Sequence, residues 1–391
     1  MNTKEPLIRL AKREDMARSQ MWAIRLGAFL FAIILGGLIF FLVDSNPVEA
    51  YGTMIAGALG KKSGLRQVAK LAIPLLGTAL ALAPCFKMKY WNIGAEGQIT
   101  MGAAAASFFA LKCYQGLPSV ALLIIMGIAS MVFGAFWAMI PAYFKSKWGT
   151  NETLFTLMLN YIAIGIVGWL QGGPWEGKPG SQIIPNFDTK AVLPKLFGVH
   201  IGWIIVLVLS VVMFIYLEYT KHGFEVAVLG ESENTARYAG MNVALVTVRT
   251  AAMSGAIAGL VGFMLASGTN QTLFSGIAAG AGFTAITVCW LSQLNPFAMI
   301  GISVLLAVLS KGASTLQTAL SIPASVSDII TGIILLSMLG CEFFINYRMI
   351  FRGKHEEIQK TMAKPKVEET SAEEIGQKVA PWDAAEEKEA E

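Results

Sequence analysis

The feature that most constrains this 391-residue chain is the gathering of its apolar residues into runs, several of them long enough to cross a hydrocarbon layer of about 30 Å. They cover residues 22–43, 68–83, 99–111, 120–144, 153–170, 201–217, 248–267, 283–291, 297–309 and 329–345. Runs shorter than about 20 residues read as half-helices or as tilted helices packed inside a bundle. The expectation is therefore an all-α, polytopic membrane bundle of about ten transmembrane helices, with broken or re-entrant segments. Residues 1–21 read as a basic N-terminal segment, 22–347 as the membrane domain and 348–391 as a soluble tail. That tail is rich in Glu, Lys and Ala and too poor in large apolar residues to fold by itself, so disorder is expected there.

Arg9, Lys12, Arg13, Arg18 and Arg25 precede or open the first run, which is too long for a signal peptide and lacks a small-residue cleavage site. The positive-inside rule places them in the cytoplasm. Ten crossings return Arg348, Arg352 and Lys354 to the same side, and they place Lys61, Lys62, Arg66 and Lys70 outside, against the rule. The segment 171–200 becomes the longest outer loop. It holds QGGPWEGKPG and reads as a lid or docking surface, with Trp175 either meeting a partner beside Glu176 and Lys178 or anchoring the membrane boundary.

Much chemistry is excluded. Residues 57–63, GALGKKS, fail the spacing of a phosphate-binding loop, so ATP, if used, must be handled by another chain. Three histidines, at 200, 222 and 355, stand at or beyond the apolar boundaries, which argues against a metal or proton-relay site. Cys85, Cys113, Cys289 and Cys341 lack paired spacing and read as small buried hydrophobes. No basic stripe with interleaved aromatics points to nucleic acid. Carboxylates within or beside the runs are few: Glu96, Glu152, Glu218, Asp328 and Glu342. An ion-coupled carrier normally needs more of them along its path.

Neutral polar side chains remain. Asn92, Gln98, Asn151, Asn160, Asn270, Gln271, Gln293 and Asn295 lie in or beside the runs, where they can either pass a polar solute along or bond across helices. Asn92, Glu96, Gln98, Asn160, Asn270 and Gln271 are the candidates for a translocation path. Ala251, Gly255 and Gly259, and separately Gly276 and Gly280, recur at four-residue spacing and predict close helix contact; the small residues of 267–282 also suit a broken helix lining a cavity.

The polar interval 220–246, TKHGFEVAVLGESENTARYAGMNVALV, reads as a short helix bracketed by Gly230 and Gly240, set between two apolar runs. Within it Glu231, Glu233 and Arg237 offer charged contacts, Tyr238 and Met241 apolar anchors, and Gly230 and Gly240 the turns. A membrane chain with such an interval and no nucleotide chemistry of its own suggests a pore driven by a separate motor.

WNIGAEGQ at 91–98, GTNETLFTLMLNYIA at 149–163, GESENTARYAGMN at 230–242, MSGAIAGLVG at 253–262 and the stretch 282–312 occur in the order found in permease subunits of bacterial nucleoside-type ABC importers. The chain resembles that family, within the branched-chain amino acid and ribose permease superfamily, over most of residues 70–340. Where the family commonly carries a Gly-Leu-Leu-Gly-like run, this chain has Cys289 to Gln293, CWLSQ. The resemblance implies a multi-pass protein of the bacterial cytoplasmic membrane and a translocation path for nucleosides. It implies a cytoplasmic ABC ATPase that uses the ATP, a second permease subunit, an extracellular substrate-binding lipoprotein, and no cofactor in this chain. It also implies that 230–242 is the coupling segment. A permease for simple sugars or another small polar solute, and a non-ABC secondary carrier, are the alternatives.

Overall fold

The computed structural model describes residues 8–12 and 18–351. The acidic tail and the side chains of Asp328 and Glu342 lie outside the described part. The chain divides into two units, Met1–Ile24 with Phe343–Glu391, and Arg25–Glu342. In the first, Ile8–Lys12 pairs antiparallel with Tyr347–Phe351.

The second unit carries the helices: α1 (Arg18–Leu42, beginning in the first unit), α2 (Pro47–Leu59), α3 (Lys62–Lys87), α4 (Ala95–Lys112), α5 (Ser119–Trp148), α6 (Glu152–Gln171), α7 (Gly202–Tyr219), α8 (Lys221–Glu231), α9 (Glu233–Tyr238), α10 (Val243–Phe263), α11 (Ala281–Leu291), α12 (Pro296–Ala319) and α13 (Ala324–Asn346, ending in the first unit). Seven are long and apolar enough to cross a membrane: α1, α3, α5, α6, α7, α10 with its π-helical extension Met264–Asn270, and α12. The expected count is about ten; beyond these seven, among the described residues, α11 is a shorter apolar helix that continues a segment 271–280 made largely of turns. α2, at 13 residues, is too short to cross.

The sequence starts these helices by local chemistry. Asn151 accepts from Leu154 N at 3.1 Å, Asn242 from Leu245 N at 3.1 Å and Asn295 from Phe297 N at 2.9 Å, each occupying a backbone donor that the first turn leaves free. Two of the neutral polar residues singled out above, Asn151 and Asn295, are thereby caps.

α10 sits at the centre, packed on α3, α4 and α5. Glycine makes that closeness possible. A Cβ on Gly259 would collide with the Ser130 carbonyl, one on Gly255 with Gly134 and Ala138, and one on Gly262 with the Ile99 carbonyl. The expected four-residue spacing thus holds for Gly255 and Gly259. It does not describe Gly276 and Gly280: they lie in the turns before α11, and Gly280 takes φ +77°. The alternative reading of that stretch, a broken helix, is the observed one.

α7 connects the two ends of the bundle. At one end, residues 172–201 form a cap that buries Ile184, Phe187, Ala191 and Leu193. Phe187 N donates to Gln271 O at 2.8 Å, Leu193 N to Ser267 O at 3.1 Å, and Arg66 Nε to Phe197 O at 3.1 Å. Arg66 therefore lies at the same end as this loop, as the ten-pass count requires. Trp175 packs 6.4 Å from Phe108, ring centre to ring centre, instead of standing free. At the other end are α8 and α9.

His200, expected at a boundary, is buried within the cap and lies 3.1 Å from Thr269 Oγ1 through Nε2. Burial, and then the charge of Lys70, push it down to about 4 from an ordinary 6.5. The unfolded chain binds this proton more readily, so the stabilisation is complete above about pH 6.5 and is lost as pH falls toward about 4. Thermal unfolding of the solubilised protein is expected to show that loss across the interval, and His200→Gln to flatten it. Gly259→Leu drives a side chain into the α5 backbone. It is expected to lower stability by at least ~1–3 kcal/mol, read as a fall in melting temperature or in the folded fraction after extraction.

Candidate functional site

Between α3 and α4 the chain leaves helical geometry over residues 88–94, with Lys89 at φ +59°. Irregular backbone inside a membrane must find partners within the protein, and here it does. Asn92 and Gln98 exchange two side-chain bonds, Asn92 Nδ2 to Gln98 Oε1 at 3.3 Å and Gln98 Nε2 to Asn92 Oδ1 at 3.1 Å. Asn92 Nδ2 also reaches Ser254 Oγ of α10 at 3.2 Å. Asn160 of α6 spans the same segment, donating to Ile93 O at 2.9 Å and accepting from Gly97 N at 2.8 Å, while Thr156 Oγ1 accepts from Ile93 N at 3.2 Å.

Glu96, in the first turn of α4 and 6% exposed, does something different. Its two carboxylate oxygens accept from Gly280 N and Gly282 N, each at 2.8 Å, at the start of α11. A helix N-terminus presents unpaired donors and partial positive charge, and a carboxylate satisfies both. Gly282 has to be glycine because a Cβ there would stand 2.5 Å from Glu96 N. The first turn of α4 and the first turn of α11 are thus locked at a carboxylate in the middle of the bundle.

Four of the six path candidates, Asn92, Glu96, Gln98 and Asn160, are brought together in this junction. Their polar atoms bond across helices. Asn270 and Gln271 are placed apart from them, at the capped end, where Asn270 closes the π-helical turn and Gln271 takes φ +58°. Sequence reasoning missed Ser254, Thr156 and the amides of Gly280 and Gly282, because these partners lie far along the chain and carry no pattern that points to Asn92 or Glu96. It also missed an aromatic group beside the junction: Trp91 and Trp290 stack at 5.6 Å and 25°, each with Phe86 at 5.9 and 5.8 Å. Trp91 is 44% and Trp290 38% exposed.

The junction continues into the polar interval. The expected single helix is two, α8 and α9, broken at Ser232, whose hydroxyl accepts from Thr235 N at 3.2 Å. Gly240 makes the expected turn at φ +75°. Gly230 does not turn the chain; it is buried against the Lys87 carbonyl at the end of α3, where a Cβ would not fit. Lys87 in turn pairs with Glu218 at 3.2 Å. α8 is therefore seated directly on the residue that precedes the irregular segment. α9 projects: Tyr238 is 93% exposed, and Arg237 is held by Glu233 through Nη2 at 2.7 Å and Nε at 3.2 Å.

Between α9, the 88–90 segment and the α5–α6 turn lies a cleft of about 710 Å³, lined by Tyr90, Lys145, Glu152, Glu231, Glu233 and Arg237 among others. Lys145 and Glu152 pair across it at 2.8 Å. Among the described residues no group of three or more His, Cys, Asp or Glu is placed to hold a metal ion.

Comparison with known proteins accords with this architecture. The family described as "Branched-chain amino acid transport system / permease component" matches residues 64–339. The chain is 34% identical to the glucose ABC transporter permease protein TsgB13 of Haloferax volcanii, over 82% of this chain and 87% of that one. It is 28% identical to the nucleoside ABC transporter permease protein NupB of Lactococcus lactis subsp. cremoris, over 83% of this chain and 90% of the relative. The guanosine ABC transporter permease protein NupP of Bacillus subtilis is 28% identical, over 78% of this chain and 91% of its own. With most of its helices inside the matched region, and with three ABC permeases similar along nearly their whole lengths, the chain belongs to the branched-chain amino acid transport system permease family, a group of multi-pass membrane transport subunits.

Proposed function

We propose that this ABC permease forms one wall of a translocation path for nucleosides and couples it, through α8 and α9, to a separate cytoplasmic ATPase. The observation that carries the reading is the broken pass 271–291, pinned at Gly280 and Gly282 by Glu96. Gly276 and Ala279 are exposed in its irregular part, at a depth where open backbone is tolerated only against protein or water. Discontinuous helices of this kind place solute sites near the middle of the membrane in other transporters. The face bearing Gly276, Ala279, Phe283, Thr287 and Trp290 is therefore assigned to the path. Asn92, Gln98 and Asn160 hold the neighbouring 92–98 segment in place and do not touch solute. Asn270 and Gln271 stand at the capped end, which is assigned to the outside of the cell and to the binding lipoprotein.

Membership of an ABC permease family implies an ATPase and a substrate-binding partner. We assign the ATPase to the α8–α9 end and propose that a second, different permease chain completes the path. ATP closure of the motors moves the end of α8 at Glu231 and α9 at Glu233, Arg237 and Tyr238. Gly230 passes the movement to Lys87, the 88–94 segment carries it to Glu96, and the hold on α11 changes. ATP is thus used by the partner, with no cofactor in this chain.

A second reading, transport of a simple sugar, is favoured by the 34% identity to a glucose permease. Uptake by the reconstituted importer separates the two. Labelled nucleosides are expected to enter and to be displaced by unlabelled nucleosides and not by glucose; displacement by glucose alone would establish the sugar reading.

Two substitutions test the mechanism. Glu96→Gln turns an amide donor toward an amide donor and leaves a buried N–H unpaired, at a cost of about 1–3 kcal/mol. It is expected to cut uptake at least tenfold with the subunits still co-purifying; normal uptake would remove Glu96 from the mechanism. Arg237→Glu sets two carboxylates together on α9 and reverses a charge at the motor contact. The chain should stay inserted, retain less than a tenth of the ATPase on co-purification and lose solute-stimulated turnover. Full retention with normal stimulation would show that α9 is not the coupling element.

A further inference from the structure

The described hydrogen bonds from α6 toward α4 lie at the start of α4, where Asn160 meets Ile93 and Gly97 and Thr156 meets Ile93. Toward its other end α4 presents glycine and four alanines at 102–106, side chains too small to fill the space between α5 and α6. A groove of about 220 Å³ results, with Met101, Ala105 and Phe108 of α4, Phe133 of α5, Ile166 of α6 and Trp175 of the cap among its lining. From Met101 to Phe109 it runs about 12 Å along α4, at 1.5 Å rise per residue. Every lining residue is apolar, and two of the helices that form it, α5 and α6, are long and apolar enough to cross a membrane.

At the capped end of this groove, one turn beyond Phe108 and on the same helix face, stands Lys112, the only basic residue in the last turn of α4. The long flexible lysine stem, one turn beyond the groove, leaves the ammonium free to reach a headgroup at its end. It is exposed, and among the described residues no ion pair engages it. An aromatic ring with a polar edge and a free cation at the end of an apolar groove match, in order, the boundary region and the phosphate of a lipid.

We infer that this groove holds one acyl chain of an anionic phospholipid whose phosphate is bound by Lys112. Lipid tails are as apolar as leucine, so the groove gains from shape and contact but cannot select one lipid from another. Selection falls to the headgroup. A surface lysine contributes roughly 1 kcal/mol toward an anionic lipid, which corresponds to a preference of about fivefold. The bound lipid would fill the gap that the alanines of α4 leave and tie Trp175, and with it the 172–201 cap, to the membrane.

The test is quenching of tryptophan fluorescence in the assembled transporter, reconstituted in phosphatidylcholine vesicles doped with acyl-brominated phosphatidylglycerol or acyl-brominated phosphatidylcholine. The Trp175 share is the difference between the native chain and Trp175→Phe. Brominated phosphatidylglycerol is expected to quench that share at about fivefold lower mole fraction than brominated phosphatidylcholine. Lys112→Gln should make the two lipids equal, and Ala105→Phe should abolish the Trp175 share of quenching for both. Equal quenching by the two lipids in the native chain would overturn the headgroup assignment. Absence of any Trp175 quenching, as when a partner subunit covers the groove, would overturn the site. Lys112→Gln leaves the helix interior untouched, so the inference remains open to refutation even where Ala105→Phe fails to insert.

Discussion

The carboxylate of Glu96 is the interaction on which the arrangement of the middle of this bundle depends. Two chain passes that cannot be continuous helices, one before α4 and one before α11, end at the same place, and each exposes backbone donors that the membrane cannot satisfy. Glu96 meets the donors of α11 directly, while Asn160 and Thr156 meet those on either side of Gly94. A neutral side chain could accept one of the two amides of α11, but only a carboxylate accepts both without presenting a donor of its own. The partial positive charge at the N-terminus of α11 favours an anion at that position.

Close packing around this junction leaves its helices little room to shift independently. α10 presses on α4 and α5 through Gly255, Gly259 and Gly262 with backbone against backbone. A displacement at one end of such a bundle is not absorbed by side-chain rearrangement, because few side chains intervene. The seat of Gly230 on the Lys87 carbonyl extends the same principle to the polar end, and it explains why a glycine stands where the chain does not turn. α8 and α9, broken at Ser232, then give a helix fixed to the bundle and a second one projecting from it.

Much of the fold was legible in the sequence because apolar runs and stretches of small residues are local signals. The all-α membrane bundle, the end at which Arg66 lies and the break near Gly280 all follow from them. The site was legible only in part. WNIGAEGQ drew attention to Asn92, Glu96 and Gln98, yet their roles depend on Ser254, Gly280 and Gly282, which are 156 or more positions away from Gln98, and spacing along one chain cannot show such pairings. Gly230 was read as a turn because glycine's freedom and glycine's smallness look alike in a sequence. Trp91 and Trp290 escaped notice for a similar reason: each is an ordinary aromatic until the fold stacks one on the other.

The central claim is that movement of α8 and α9 reaches the Glu96 hold on α11. Hydrogen–deuterium exchange of the 276–286 backbone, followed in the assembled transporter with and without a trapped ATP state, tests it most directly. The account predicts that exchange at Gly280 and Gly282 changes when ATP closes the motors, and that α5 and α10 around Gly255 and Gly259 stay equally protected in both states. Unchanged exchange at Gly280 and Gly282 between the two states would contradict it.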